Sequence, residues 1–414
     1  MNTAATTDVL QSLRERGASR FSEMGWPTTR LEGWKFTSLA PIAKVQWSDA
    51  TPGGSLPETT MSLAGRASVE LIFVNGLFVS RTGESRVNVR NLAATGGAAG
   101  DDDRIGRYAD LERNPMVALN SAHFTDGALV EIPANFTLDG FIHLLYIGNG
   151  DGVWSHPRNL IVAGSNSQVT IVESYVGAGK YFTNAVTEIV AGNGAVVDHY
   201  KLECEAREAY HVATLQVHQE RSSTVTLRNI SIGGAIVRND INGELTGPGA
   251  SISLDGLFVV TGTQHIDNHT SIDHISPHCD SHELYKGILD DTGRGVFDGS
   301  ITVRPNAVKT NSRQESRNLL LSETAIIDSK PTLVIHNDDV KCNHGSTIGQ
   351  LEDEPMFYLR SRGIDEEDAR NMLVYAFASE IIDRMKLEPV REHIRRALFR
   401  HMPKRLPERR EGSR

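Results

Sequence analysis

The sequence predicts a mainly β protein whose centre is a β-solenoid, a stack of coils, with helical regions at both ends. Between residues 67 and 349, short β-branched runs recur between turns rich in Gly, Asn, Asp and Ser, and helical periodicity is weak. Strand-like runs also return about every 28 residues, which indicates a repeated structural unit. Both flanks instead contain segments with the apolar spacing of amphipathic helices.

We expect residues 1–66 to form a helical region and a linker. A short amphipathic helix is predicted over residues 7–22, with apolar positions Val9, Leu10, Leu13 and Phe21. Residues 48–66, rich in Gly, Pro, Ser and Thr, predict a loop. A loop over 94–103 and a helix over 110–122 together predict an insertion near 94–122, just inside the β region.

The solenoid prediction for residues 67–349 depends on a constant phase between units. One series of strand-like runs begins at Ile161, Ile189, Val217 and Leu245, and the other begins at Gln168, Ala195, Thr224 and Ser251. Each coil of a solenoid buries its inward side chains only by stacking on the next coil, which favours such a period. The alternative is an antiparallel sandwich whose hairpins share this spacing by chance.

Residues 350–414 predict a helical C-terminal region. Acidic residues after Ile364 mark the start of one helix, since carboxylates are favourable at a helix N-terminus. A second helix is predicted over 387–399, with Pro389 in its first turn. The first helix carries an apolar stripe, which fits either packing against the core or docking of a partner; it comprises Ala369, Met372, Leu373, Ala376, Phe377, Ile381 and Ile382.

The composition excludes several classes of function. A net charge of −10 argues against a nucleic-acid-binding protein, and the basic run 404–414 is interpreted as a solvated terminus. No apolar run is long enough to span a membrane, and no secretory leader is recognisable. The three cysteines show no paired spacing, which is typical of a reducing cytoplasm. We therefore expect a cytoplasmic protein without nucleic-acid or membrane partners.

Cys342 and His344 follow a strand-like run and lie two residues apart, so an extended chain would place both side chains on one side. A thiolate and an imidazole are half of a metal site, and a second chain would have to supply the other ligands. Lys341 is expected to favour the thiolate form of Cys342. The alternative is an ordinary strand cysteine with a surface histidine nearby.

The other candidate ligands give weaker predictions. Five of the histidines fall within residues 265–282, where we favour structural roles over a metal or redox role. Cys279 is expected to be a small buried residue, and Cys204 has acidic neighbours that would raise its pKa. No phosphate-binding GxxxxGK[ST] motif or GxSxG motif occurs. Adjacent aspartates point to opposite faces of a strand, which does not suit a glycosidase.

The segment 262–363 closely resembles the SufB/SufD family of the SUF iron-sulfur cluster assembly machinery, and residues 32–37 (EGWKFT) resemble the family's early signature. The blocks that carry this resemblance are PHCDSHELYKG (277–287), RGVFDG (294–299), KT (309–310), NLLLS (318–322), DDVKCNHG (338–345) and YLRSRG (358–363). Gly345 after the histidine favours the SufD branch over SufB. Val308 departs from the family, which often has Gln there.

The resemblance implies a right-handed parallel β-helix between helical termini. It also implies pairing with SufB through the β-helix, and binding of the ATPase SufC through the C-terminal helices, including the stripe residues. A transient cluster is expected at the junction with SufB, with His344 and Cys342 as ligands beside a cysteine and a carboxylate of SufB. No stable cofactor is expected in the isolated chain.

The implied function is a non-catalytic scaffold subunit of a SufB, SufC and SufD complex. One alternative is a SufB-like scaffold that assembles clusters as a homodimer. Another, of a different class, is a β-solenoid carbohydrate-active enzyme, which would need a groove with facing carboxylates. The type of cluster, the stoichiometry and the binding of a reduced flavin stay open at the level of sequence.

Overall fold

The computed structural model describes residues 3–51, 63, 66–83, 86–95 and 104–401. The basic run 404–414 lies outside these residues, as do most of the predicted loops over 48–66 and 94–103. No helix within the described ranges is long and apolar enough to cross a bilayer.

Two sheets run along the molecule, and successive coils place one strand in each. In sheet A the strand order is β20-β18-β16-β14-β12-β10-β8-β5-β4, and in sheet B it is β21-β19-β17-β15-β13-β11-β9-β6-β2-β3. The strands of the N-terminal half are β1 (Ser48–Asp49), β2 (Val69–Val74), β3 (Leu77–Gly83), β4 (Asn88–Asn91), β5 (Ala128–Ile132), β6 (Ile142–Asn149), β7 (Val153–Ser155), β8 (Arg158–Ala163), β9 (Gln168–Ala178), β10 (Phe182–Ala191) and β11 (Val196–Cys204). Those of the C-terminal half are β12 (Tyr210–Gln219), β13 (Thr224–Ile232), β14 (Ile236–Leu245), β15 (Ser251–Val260), β16 (His265–His274), β17 (Asp280–Leu289), β18 (Arg294–Val303), β19 (Asn311–Leu320), β20 (Ile326–Ile335) and β21 (Lys341–Gln350).

The pairing confirms the solenoid and excludes the sandwich. From β5 and β6 onward the neighbouring strands are parallel, and the antiparallel pairs are β2 with β3 and β4 with β5. Successive coils in sheet B are 28, 28, 27, 29, 31 and 30 residues long, counted between the paired positions Gln168, Val196, Thr224, Ser251, Asp280, Asn311 and Lys341.

Two predicted phase positions are wrong. In sheet B, Gln168 pairs with Val196, one residue after the predicted Ala195. In sheet A, Ile161 pairs with Ile189 and Ile189 pairs with Val217, as the 28-residue period requires. Val217 then pairs with Gly243, whereas the predicted Leu245 pairs with Gln219. The coil between β12 and β14 is two residues shorter than the period, because its turn is shorter while the inward and outward alternation is kept.

Helices cover the outer faces of the two sheets. The N-terminal helices are α1 (Thr3–Met24), α2 (Ala40–Ala43) and α3 (Pro115–His123), and the C-terminal ones are α4 (Asp353–Ser361), α5 (Glu366–Ile382) and α6 (Glu388–His401). The start predicted for α5 is confirmed, since the Asp365 side chain accepts a hydrogen bond from the Asp368 backbone N–H at its N-terminus. Helix α4 was not predicted.

Two outer clusters attach these helices. Leu13 of α1 and Val117 of α3 are buried against Leu160 and Val186 of sheet A. Ile381 and Ile394, from α5 and α6, are buried against sheet B at residues such as Leu202 and Leu257. The helices therefore close the two faces of the stack and leave its last coil without a cover among the described residues.

The interior of the solenoid combines aliphatic side chains with buried polar ones, and it contains an ionic cluster between β11, β12 and β14. Lys201 Nζ donates to the carboxylate of Glu203 and, at 2.7 Å, to Asn239 Oδ1, and His211 Nε2 lies 2.8 Å from Glu203 Oε1. Burial alone would raise the pKa of Glu203, but Lys201 and His211 outweigh it and lower the pKa. The carboxylate is thus ionised inside the stack, and its partners make that possible.

We expect Lys201→Met to destabilise the fold by about 3–5 kcal/mol, because it leaves the Glu203 charge buried without its main partner. Lys309→Met is the matched control: the Lys309–Asp339 pair has an N–O distance of 2.6 Å but is more than half exposed at both ends, so its loss should cost less than about 1 kcal/mol. Urea unfolding of both variants measures the difference. Equal small losses would contradict the ionic role assigned to Lys201.

Candidate metal-ligand site at the open end of the solenoid

The last coil of the solenoid has an uncovered edge in both sheets. Strand β20 is the terminal strand of sheet A and pairs with β18, while β21 is the terminal strand of sheet B and pairs with β19. Within the described residues neither strand has a neighbour on its other side. Such edges present unpaired backbone N–H and C=O groups, which favours pairing with another chain.

Cys342 and His344 lie on β21 with their side chains on the same side, as predicted. Cys342 pairs in register with Ser312, and His344 with Gln314, both fully buried inward-facing residues of β19. Side chains in register on neighbouring strands share a face, so Cys342 and His344 also point into the solenoid. Because no further coil covers them, His344 is exposed and Cys342 is only partly buried.

The thiol of Cys342 lies on the apolar side of this opening. It packs against the interior core together with Leu333 and Val340. Partial burial raises the pKa of Cys342. The expected thiolate stabilisation by Lys341 is therefore wrong, because adjacent residues of a strand point to opposite faces and Lys341 is directed outward. The free chain holds Cys342 as a neutral thiol.

His344 borders a polar groove of about 480 Å³. The groove lies between β19 and β21 and is lined by Arg313, Gln314, Glu315, Ser316, Arg317, Asn343, His344, Gly345 and Thr347. A Cβ at Gly345 would meet no atom within 4 Å, and its φ is not in the left-handed region. Nothing within this chain therefore requires glycine there. A glycine in an open edge strand leaves room for the close approach of another backbone or a ligand.

A buried carboxyl-amide pair lies one coil below His344. Glu283 of β17 is in register with Gln314 of β19, and Gln314 Nε2 donates to Glu283 Oε2. Burial raises the pKa of Glu283 to about 7, and the hydrogen bond from Gln314 only partly opposes this. Further hydroxyls connect the two sheets at the opening: Ser346 Oγ lies 2.8 Å from Ser329 Oγ, and Ser329 Oγ lies 3.2 Å from Ser316 Oγ.

The histidines within residues 265–282 are dispersed. His265 Nε2 lies 2.7 Å from Thr37 Oγ1 on the outer face of sheet A, whereas His274 points inward and lies 2.8 Å from Ser281 Oγ. Burial lowers the pKa of His274 to about 4. His278 occupies a turn with φ of 60°. No group of three or more metal-binding side chains forms within the described part of the chain.

The two remaining cysteines lie away from the opening. Cys204 is on the outer face of sheet B, and burial raises its pKa to about 12, with a smaller contribution from Glu203 and Glu205. Cys279 is fully buried, with Sγ 3.4 Å from the Gly247 carbonyl oxygen. Cys342 and His344 thus have no further cysteine of this chain beside them.

The predicted apolar stripe of α5 is only partly correct. Ala369 is buried, but Met372 and Ala376 are exposed and Leu373 and Phe377 are half-buried. Val374 and Ala378, which the stripe omitted, are buried with Ile381 and Ile382. The pattern could not show which side of an apolar helix meets the sheet. The outward side of α5 therefore carries Met372 and Ala376.

Sequence reasoning missed Gln314 and Glu283. The signal that could have located them is the alternation in β19, whose inward positions Ser312, Gln314, Ser316 and Asn318 are all polar and all buried. Polar residues at the inward positions of a strand indicate either a buried network or a site.

Comparisons with known proteins place these residues in a family. Residues 146–377, from β6 into α5, match the family model described as SUF system FeS cluster assembly, SufBD core domain. An iron-sulfur cluster assembly SufBD family protein of Synechocystis is 32% identical over 94% of this chain and 90% of its own length. The iron-sulfur cluster assembly protein SufD of Escherichia coli is 29% identical over 92% of this chain and 90% of its own. SufD of Bacillus subtilis is 27% identical over 69% and 66%.

We expect Glu283→Gln to stabilise the chain progressively as pH rises. The raised pKa means that folding favours the neutral acid form of Glu283. The contribution of this neutral acid to the free energy of unfolding is therefore complete below about pH 4.5 and is lost as pH rises through about 7. Gln cannot ionise, so its advantage over the wild type should grow by about 2–3 kcal/mol between pH 5 and pH 8. Urea midpoints at both pH values measure it.

Glu315→Gln is the control for this measurement. Burial alone would raise the pKa of Glu315, but Arg313 and Arg317 outweigh it and lower the pKa. The stability of this variant relative to the wild type should therefore not increase over the same pH range. If Glu283→Gln behaves like Glu315→Gln, Glu283 is ionised in the folded chain.

Proposed function

Because the chain belongs to the SufB/SufD family of iron-sulfur cluster assembly proteins, we propose that it is a non-catalytic scaffold subunit that completes a cluster site together with SufB. The observation that carries this proposal is the uncovered last coil, which exposes Cys342 and His344 on the same inward side of β21. The chain supplies two ligands, and SufB supplies a cysteine and a carboxylate.

The incompleteness of the site supports a shared one. Iron-sulfur clusters normally need four protein ligands. The described residues form no group of three or more metal-binding side chains, whereas the free edges of β20 and β21 offer a surface for a second solenoid. Docking there would bury Cys342 and His344 between the two chains. The cluster would then be bound only while the two chains stay docked at these edges.

The chemistry of the two ligands favours a transient cluster. The Cys342 thiol has a raised pKa, so metal binding must displace its proton. A metal-binding histidine is neutral and adds no negative charge to the site. The pair thus binds metal weakly by itself and depends on ligands from the partner, which is consistent with a cluster that is assembled and then transferred.

The C-terminal helices are the proposed docking site for the ATPase SufC. Met372 and Ala376 face outward on α5, and the neighbouring helix α4 exposes Phe357 (74%) and Tyr358 (57%). Helix α4 has no buried residue. Exposed aromatic and methionine side chains on an otherwise unanchored helix are typical of a protein interface. Ala369, Leu373 and Phe377 support this surface from the inner side of α5.

A SufB-like homodimeric scaffold is the second candidate, because the free edges of β20 and β21 would also accept a second copy of the chain. Anaerobic reconstitution of the purified chain distinguishes the two. Stable iron-sulfur absorption without SufB would favour the homodimer, and its absence with restoration by SufB would favour the heteromeric site.

The outer face of sheet A does have a groove with carboxylates, but they do not form the pair that a glycosidase needs. Asp240 lies 2.8 Å from the Arg238 guanidinium, Asp273 lies 2.7 Å from Arg304, and Asp298 lies 3.5 Å from Lys330. Each of these carboxylates is thus already paired with a cation of this chain, which favours a structural role over that of a facing catalytic pair.

We expect His344→Ala to abolish cluster assembly in the complex of this chain with SufB and SufC, because it removes one of the two ligands. Assembly is followed by the visible absorption of the cluster under anaerobic conditions. Folding and pairing with SufB should be unchanged, since His344 is exposed. Asn343→Ala, an exposed outward-facing neighbour, is the control and should assemble normally. Wild-type assembly by His344→Ala would refute the ligand assignment.

We expect Met372→Glu and Phe357→Glu each to weaken binding of SufC by about 2 kcal/mol or more, because a charge would be buried in an apolar contact. Leu31→Glu is the control, since Leu31 is 51% exposed in the N-terminal region. Affinity is measured by calorimetry with purified SufC. Binding as tight as the wild type in both α4 and α5 variants would place the docking surface elsewhere.

A further inference from the structure

Gln314 lies beside the proposed cluster site and has one polar atom without a hydrogen-bond partner within the described residues. Its side chain is fully buried and borders the groove beside His344. Nε2 donates to Glu283, but Oε1 has no hydrogen-bond partner within the described residues. A buried acceptor left without a donor costs about 1–3 kcal/mol. Such an atom next to a candidate ligand requires an explanation.

The orientation of the amide follows from its other partner. Gln314 Nε2 donates to Glu283 Oε2, so the NH₂ end of the amide is directed at Glu283. That leaves the carbonyl oxygen for the remaining neighbours. On β21 the residue in register with Gln314 is His344, and adjacent strands lie about 4.8 Å apart with their side chains on the same face.

On the opposite wall of the solenoid, Gly299 leaves room for the Gln314 amide because it has no side chain. A Cβ at Gly299 of β18 would lie 2.3 Å from Gln314 Nε2 and 2.8 Å from its Cδ. The φ angle of Gly299 does not require glycine. Glycine at this position therefore serves the placement of the Gln314 side chain across the interior.

We propose that Gln314 is a positioning residue for His344: its Oε1 accepts the ring N–H of His344 while the other ring nitrogen binds the metal. This inference rests on the proposed function, since it takes His344 as a ligand. Metal-bound histidines usually donate their second N–H to an oxygen acceptor, which sets the tautomer and orients the ring. In this chain a glutamine supplies that oxygen, and Glu283 and Gly299 hold the glutamine.

The test uses cobalt(II) as the probe, added to the metal-free complex of the full chain with SufB and SufC. The visible d–d bands of cobalt report the ligands, and competition with a chelator gives the affinity. We expect Gln314→Leu to weaken cobalt binding 10–100-fold, the usual effect of losing an outer hydrogen bond to a ligand. The bands should shift as the histidine ring loses its orientation.

Gly299→Ala is the second variant and keeps the glutamine. The added methyl group would meet the amide of Gln314 and also Phe297 Cζ, at 2.8 Å, so the amide is expected to move and urea unfolding checks that the fold persists. We expect weaker cobalt binding here too. The double variant should bind no more weakly than Gln314→Leu alone, because both changes remove the same hydrogen bond. Lys309→Met, which removes an exposed ion pair outside the groove, should bind like the wild type.

His344→Ala separates this inference from the proposed function. Loss of the cobalt bands in His344→Ala, with wild-type affinity in both Gln314→Leu and Gly299→Ala, would overturn the role of Gln314 and keep His344 as a ligand. Wild-type cobalt binding by His344→Ala would overturn the ligand assignment itself. Weakening in the Gln314 and Gly299 variants without additivity would support the proposal.

Discussion

The structure depends on the stacking of parallel coils. Each coil buries its inward side chains only because the next coil covers them, and the strand register that achieves this runs from β5 and β6 to β20 and β21. Side chains along β21 alternate between inward and outward positions, as they do in every earlier coil. Cys342 and His344 are accessible because the stack ends there, since the inward residues paired with them on β19 are fully buried. The candidate site is thus produced by termination of the repeat.

Polar side chains are buried in the interior along much of the stack, as at Glu173, Lys201 and Asn239, and this polar line continues to the open end with Glu283, Gln314 and Ser316. The opening therefore has an apolar side at Cys342 and a polar side at His344. The apolar side keeps the thiol protonated, and the polar side offers hydrogen-bond partners to the imidazole. The described residues at this opening form no group of three metal-binding side chains.

The sequence predicted what depends on local alternation and period. The common face of Cys342 and His344, the start of α5 at Asp365 and the period of the sheet B strands to within a residue all follow from spacing along the chain. It did not predict relations between coils. The shift at Leu245, the inner side of α5 and the Glu283–Gln314 pair depend on how separate segments meet. Residues 283 and 314 are 31 positions apart, and nothing local links them.

The same contacts between segments join the C-terminal helices to the site. Glu380 of α5 lies 2.5 Å from Lys286 Nζ of β17 and 3.0 Å from Arg317 Nη1 of β19. Lys286 is almost fully buried, so moving α5 away would leave its charge without a partner, which costs several kcal/mol. Strand β21 pairs only with β19 among the described strands. A displacement of α5 would therefore act on β17 and β19 together, and through β19 on the one strand that carries Cys342 and His344.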